Sequence, residues 1–137
     1  MLPIALRKQM ESVLKEGFYV KKSYYKECLE LYPAQEWIKI NDELDQKSRY
    51  DEEVDDFIRM FTTGLRQVDL DNTGRLLIPR DVMVMAKIKK EVKISPIRKH
   101  LEIWDVTTYD QAIAATRERK KELANKVMLG KIDEDVS

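Results

Sequence analysis

One cysteine and one histidine stand among 137 residues, neither sign of charge is in excess, and no window approaches ~18 uninterrupted apolar residues. Each scarcity excludes something. The single thiol, Cys28, rules out an internal disulfide and fits a reducing compartment; within a β-rich run it reads as a small buried hydrophobe. The missing apolar run removes a transmembrane helix. Met1-Leu2-Pro3-Ile4-Ala5-Leu6 passes straight into Arg7-Lys8 without a cleavable signal pattern, so the cytoplasm is the expected location and no membrane partner is implied. His100 lies in a Lys/Arg-rich turn and reads as a solvated loop residue. With no Cys/His cluster, phosphate-cradling glycine loop or nucleophile elbow, the chain is not expected to be an enzyme or to carry a metal or cofactor.

A net charge of zero also weighs against a nucleic-acid binder, which needs concentrated Lys and Arg. The distribution says otherwise. Residues 71–104 carry eight basic side chains (Arg75, Arg80, Lys87, Lys89, Lys90, Lys93, Arg98, Lys99) against four acidic ones, a local excess of +4. Residues 51–70 reverse this, with six acids against Arg59 and Arg66. The 43% hydrophobic content supplies one ordinary core or two small ones sharing an interface.

The pattern of apolar residues predicts a mixed α+β chain. Ile4 to Leu14 reads as a short helix stopped by Gly17. Phe18-Tyr19-Val20 and Glu27 to Tyr32 suggest a hairpin. Pro33 then opens a helix with Trp37, Ile40 and Leu44 on one face. Acids from Asp51 favour the start of a second helix whose Val54, Phe57, Ile58 and Phe61 form a core-facing stripe, ended by Thr62-Thr63-Gly64. Leu65 to Leu70 and Arg75 to Ile78 are expected strands around a turn at Asp71 to Gly74. Arg80 to Ala86 is a short helix, and Val92 to Ile94 pairs with Leu101 to Trp104 through Pro96 to His100. Thr107 and Asp110 resemble a capping box opening a final helix that ends near Gly130, with Lys131 to Ser137 a frayed tail.

Two stretches of the chain match each other. Pro3 aligns with Pro79, and Leu29-Glu30-Leu31-Tyr32-Pro33 aligns with Leu101-Glu102-Ile103-Trp104-Asp105, which predicts two copies of one unit. The counterpart of Asp71 to Leu76 in the first copy would precede Met1, so the chain is expected to begin inside its first repeat, at an internal methionine.

The turn Asp71-Asn72-Thr73-Gly74 has its own logic. Asp accepts backbone N–H bonds two residues on, and Gly74 reverses the chain without a Cβ clash. Arg75 emerges at the hairpin root, either folded back onto Asp71 or aimed at phosphates and guanine edges. Pro79 ends the strand and starts the short helix. Asp71-x-x-Gly74-Arg75-Leu-Leu-Ile78-Pro79, followed by that helix, resembles the signature of AbrB-type swapped-hairpin barrels. Together with the two Leu-Glu segments, Glu36-Trp37 and Arg59-x-Phe61-x-x-Gly64, it resembles the MraZ family over residues 1 to about 115.

The resemblance implies two tandem AbrB-like half-barrels forming one pseudo-two-fold barrel with flanking helices. The first repeat would be 1–48, a connecting helix 49–64, the second repeat with its helix 65–130 and a tail 131–137. It further implies a DNA-binding regulator of the bacterial cell-division and cell-wall gene cluster, acting on its own promoter from the nucleoid and assembled as a ring-shaped homo-oligomer. Arg75 and Asp71, with Arg80 nearby, are the implied DNA-binding residues. The other reading kept open is an antitoxin-like protein-interaction module, with Arg117 to Glu122 as the segment a partner groove would recognise; its competing interpretation is a solvent-facing helix with i, i+4 charge pairs.

Overall fold

Strict alternation of apolar and polar residues sets the architecture. In the computed structural model, which describes residues 17–130, β1 (Phe18–Lys22) and β2 (Leu29–Pro33) pair antiparallel as the expected hairpin. Helix α1 (Ala34–Asp45) follows at once, with Pro33 as its N-cap residue rather than its first helical one. Helix α2 (Glu52–Phe61) begins at Asp51, whose carboxylate accepts from the Glu53 N–H at 2.9 Å, a side-chain cap on an otherwise open helix end. Strand β3 (Arg66–Val68), helix α3 (Arg80–Met85), and the hairpin of β4 (Val92–Ile97) and β5 (His100–Asp105) complete the first compact unit, which ends at Asp105. The strands form one open antiparallel sheet in the order β3-β1-β2-β5-β4. Closure into a barrel is not seen among the described residues, and Ile4 to Leu14 and the tail 131–137 lie outside them.

One face of this sheet is apolar. Phe18 and Val20, Leu29 and Leu31, and Leu101 and Ile103 point the same way and bury against Val68, Val82, Ala86 and Ile88, so α3 is the lid of the core. Cys28 is fully buried, as expected of it. Burial, then the negative charge of Glu102, pushes its thiol pKa up to about 12, which keeps it neutral and unreactive.

The opposite face departs from expectation. It carries Tyr19, Lys21, Glu30, Tyr32, His100, Glu102 and Trp104, and α1 and α2 supply aromatic rings to it. Trp37, the buried residue of α1, lies against Tyr19 and Tyr32 with ring centroids 6.1 and 5.7 Å away, while Phe61 stacks on Trp37 at 6.4 Å. The stripe on α2 is therefore not core: Val54, Ile58 and Phe61 are half-buried, and Phe57 is exposed beside Tyr24. Through Phe61 it covers the polar sheet face, over Lys21 and against Trp37.

Three further expectations need correction. The strand Arg75 to Ile78 reduces to a single bridge between Leu70 and Leu76. The β4–β5 turn contains only Arg98 and Lys99, with Arg98 at φ 54°, so β4 runs on through Ser95-Pro96-Ile97 and His100 belongs to a strand. Pro96 is tolerated because β4 is an edge strand and one of its sides needs no N–H donor.

The second unit opens directly after β5. Helix α4 (Val106–Arg117) already includes Thr107, so the expected capping box does not start it. The helix is also not continuous: it breaks at Glu118-Arg119, resumes as α5 (Lys120–Ala124), and widens into a π-helical turn over Asn125–Leu129. Arg119 and Glu122 pair at 3.2 Å across the restart. No side chain of these elements is buried.

Candidate nucleic-acid interface

The Asp71 turn is locked by its own backbone. The Asp71 N–H donates to the Arg75 carbonyl at 2.8 Å and the Gly74 N–H to the Asp71 carbonyl at 3.1 Å. One carboxylate oxygen of Asp71 then accepts from the Arg75 N–H (2.8 Å), the Thr73 N–H (2.8 Å) and the Thr73 hydroxyl (2.7 Å). These donors, the Arg75 N–H foremost, hold its carboxyl below the usual aspartate range. Gly74 takes φ +82°, a conformation in which a side chain would be strained. Asp71 is thus the organiser of the turn.

Arg75 closes this turn. Among the described residues its guanidinium enters no ion pair, Asp71 included, and the side chain is exposed. Arg80 is exposed as the first residue of α3; the neighbouring carboxylate of Asp81 is taken by Arg66 at 3.2 Å. Pro79, at φ −57° and ψ 142°, is the last extended residue, and its carbonyl accepts from the Met83 N–H at 3.2 Å. Leu76, Ile78 and Met83 pack on the apolar core, so the two arginines stand on an anchored segment. The wider basic excess is not a single stripe. Lys89 and Lys90 lie at one end of the β4–β5 hairpin and Arg98 and Lys99 at the other, about 20 Å away for strands of six residues.

A second constellation went unread in the sequence. Glu30 and Glu102 sit directly opposite each other where β2 pairs with β5. Lys21, fully buried, bridges to Glu30 Oε1 at 2.8 Å and lies 4.0 Å over the Phe61 ring. His100 is not solvated: it stacks on Tyr32 with centroids 4.7 Å apart, and its Nε2 is 3.8 Å from Glu30 Oε2 and has no hydrogen-bond partner. One ligand atom each from Glu30, His100 and Glu102 falls within 4.8 Å of the others. The signal was present in the alignment of Glu30 with Glu102, which the register turns into an adjacency: Leu29 pairs with Ile103 and Leu31 with Leu101, as a local two-fold requires.

The comparisons with known proteins agree with the motifs. A family model described as "MraZ protein, putative antitoxin-like" matches residues 60–129. A Flavobacterium psychrophilum protein named Transcriptional regulator MraZ is 40% identical over 98% of this chain and 85% of its own length. Proteins of the same name from Christiangramia forsetii (38% identical, 93% of this chain, 83% of its own) and Phocaeicola vulgatus (31%, 89% and 80%) extend the likeness. No helix among the described residues is long and apolar enough to cross a membrane. The chain belongs to the MraZ family.

Proposed function

We propose that this chain is a sequence-specific DNA-binding transcriptional regulator that acts on its own promoter in the bacterial cell-division and cell-wall gene cluster. The observation that carries the reading is the Asp71 turn: one carboxylate oxygen takes the Thr73 and Arg75 donors, and Arg75 stands exposed at the root without an ion pair among the described residues, with Arg80 nearby. A planar guanidinium held on a stiff turn suits bidentate contact with phosphate or guanine. The relatives that match nearly all of this chain bear the name of a transcriptional regulator.

In this reading the two hairpins belong to tandem AbrB-like half-barrels of one pseudo-two-fold barrel, with repeat units 1–48 and 65–130, a connecting helix 49–64 and a tail 131–137. Ring-shaped homo-oligomers on the nucleoid bring the +4 segment of each subunit to a common DNA-facing surface, which reconciles zero net charge with DNA binding. An antitoxin-like interaction module is the second reading, favoured by the family description and by a second unit with no buried side chain.

The deciding experiment is a fluorescence-anisotropy titration against duplex DNA from upstream of the gene and a scrambled duplex, at low and physiological salt, for the wild type and Arg75→Ala. Selective, salt-sensitive binding that weakens in Arg75→Ala is expected. Equal affinity for both duplexes would sink the sequence-specific reading, and an unchanged Arg75→Ala would remove the turn from the interface.

A further inference from the structure

We propose that Glu30, His100 and Glu102 form a binding site for a divalent transition-metal cation of the zinc type. The two carboxylates face each other across an antiparallel pair, where like charges repel. The single ammonium in the cluster, Lys21, is committed to Glu30 Oε1. Glu102 Oε1 receives the uncharged indole N–H of Trp104, at 3.1 Å.

The donors leave a consistent remainder. Tyr32 O–H, two residues along from Glu30, donates to Glu30 Oε1 at 2.9 Å, and Trp104, two residues along from Glu102, does the same for its Oε1. Each carboxylate is therefore oriented by an aromatic neighbour through one oxygen. Glu30 Oε2 is turned toward His100 Nε2, which is buried, unpartnered and, at 3.8 Å, too distant for a hydrogen bond. Outer-shell donors that fix the direction of ligand lone pairs are a recurrent feature of metal sites.

Ligand atoms around a tetrahedral zinc lie roughly 3.3 Å apart, from metal–ligand distances of about 2.0–2.2 Å. The three atoms lie within 4.8 Å of one another, so closing to that spacing asks for movements of at most about 1.5 Å. One imidazole nitrogen with two carboxylate oxygens suits zinc and its neighbours, whereas magnesium and calcium favour all-oxygen shells. Of the three ligands, His100 lines a groove of about 860 Å³ beside Tyr32, Glu36, Glu43 and Arg98. Three protein ligands leave a fourth position for water.

The test uses the full chain with any affinity tag removed and metal stripped by chelation, titrated with ZnCl2 by calorimetry, with MgCl2 as the comparison. The expected result is one zinc per chain and a thermal midpoint raised by roughly 10 °C when free zinc stands about a hundredfold above Kd. His100→Gln, which removes the sole imidazole of the chain, should weaken zinc by about a hundredfold or more, and Tyr32→Phe by about tenfold. Glu102→Gln is the independent variant should His100→Gln not fold, as judged by circular dichroism without metal. Absence of saturable zinc binding overturns the proposal, and so does unchanged zinc affinity in whichever of these two ligand variants folds.

Discussion

The two faces of the sheet are made from alternate residues of the same strands, yet they are held by different physics. On one, Val20, Leu31 and Leu101 are packed by α3 and its flanking segments into a core in which any apolar group of suitable volume has many equivalent neighbours. On the other, Lys21, Glu30 and Glu102 depend on particular atoms at particular distances. The difference teaches that burial alone does not define a core here. Lys21 is as inaccessible as Leu31, and its environment is a carboxylate and a ring face.

Leu31→Ala should break the apolar face hardest, by about 3–5 kcal/mol in urea unfolding, because a fully buried side chain leaves a cavity under a lid that relaxes only in part. Lys21→Met tests the other face at nearly constant volume. It should cost about 3 kcal/mol by leaving Glu30 without its cation, and Lys21→Met with Glu30→Leu should recover most of the loss. A double variant no better than the single one would show that the polar face is not replaceable by packing. Gly74→Ala carries the comparison to the surface turn, where an L side chain at φ +82° should cost about 1–2 kcal/mol.

The smallest effect contrasts two carboxylates. Asp71, unlike Glu30, is solvent-facing and served by backbone donors. Its folded pKa is depressed, so its contribution is present above the unfolded value of 3.8 and is lost as pH falls through the folded one. Unfolding curves of the wild type and Asp71→Ala should differ near neutral pH and converge in strong acid. A gap that persists at the acid end would mean that the carboxylate charge is not what stabilises the turn.

Local chemistry was legible in the sequence. The β1–β2 hairpin, α1, α2 with its acidic start and the Asp71 turn all follow from period, charge and turn residues within a few positions of one another. What the sequence could not express was the sheet register. Lys21, Glu30 and Glu102 alternate with apolar residues and so read as a wet face; only the pairing of β2 with β5 puts the two acids together, and only the return of α2 lays Phe61, stacked on Trp37 of α1, over Lys21. His100 was misread for the same reason, since Arg98 and Lys99 look like a longer loop until a two-residue turn places the histidine in β5. At the candidate site, the sequence left open whether Asp71 holds the Arg75 side chain; in the structure one carboxylate oxygen takes the Thr73 and Arg75 backbone N–H groups, an arrangement that turn residues alone do not spell out.

The local two-fold through Glu30 and Glu102 has a genetic consequence. Positions equidistant from it are Tyr32 and Trp104, which play the same part, but also Cys28 and His100, and Lys21 and Ser95, which do not. In a dimer of one gene product every such pair is the same residue twice, so an ammonium on one side of the axis and an imidazole on the other is out of reach. In one polypeptide each member of such a pair is its own codon, and on this sheet face the paired positions carry different side chains.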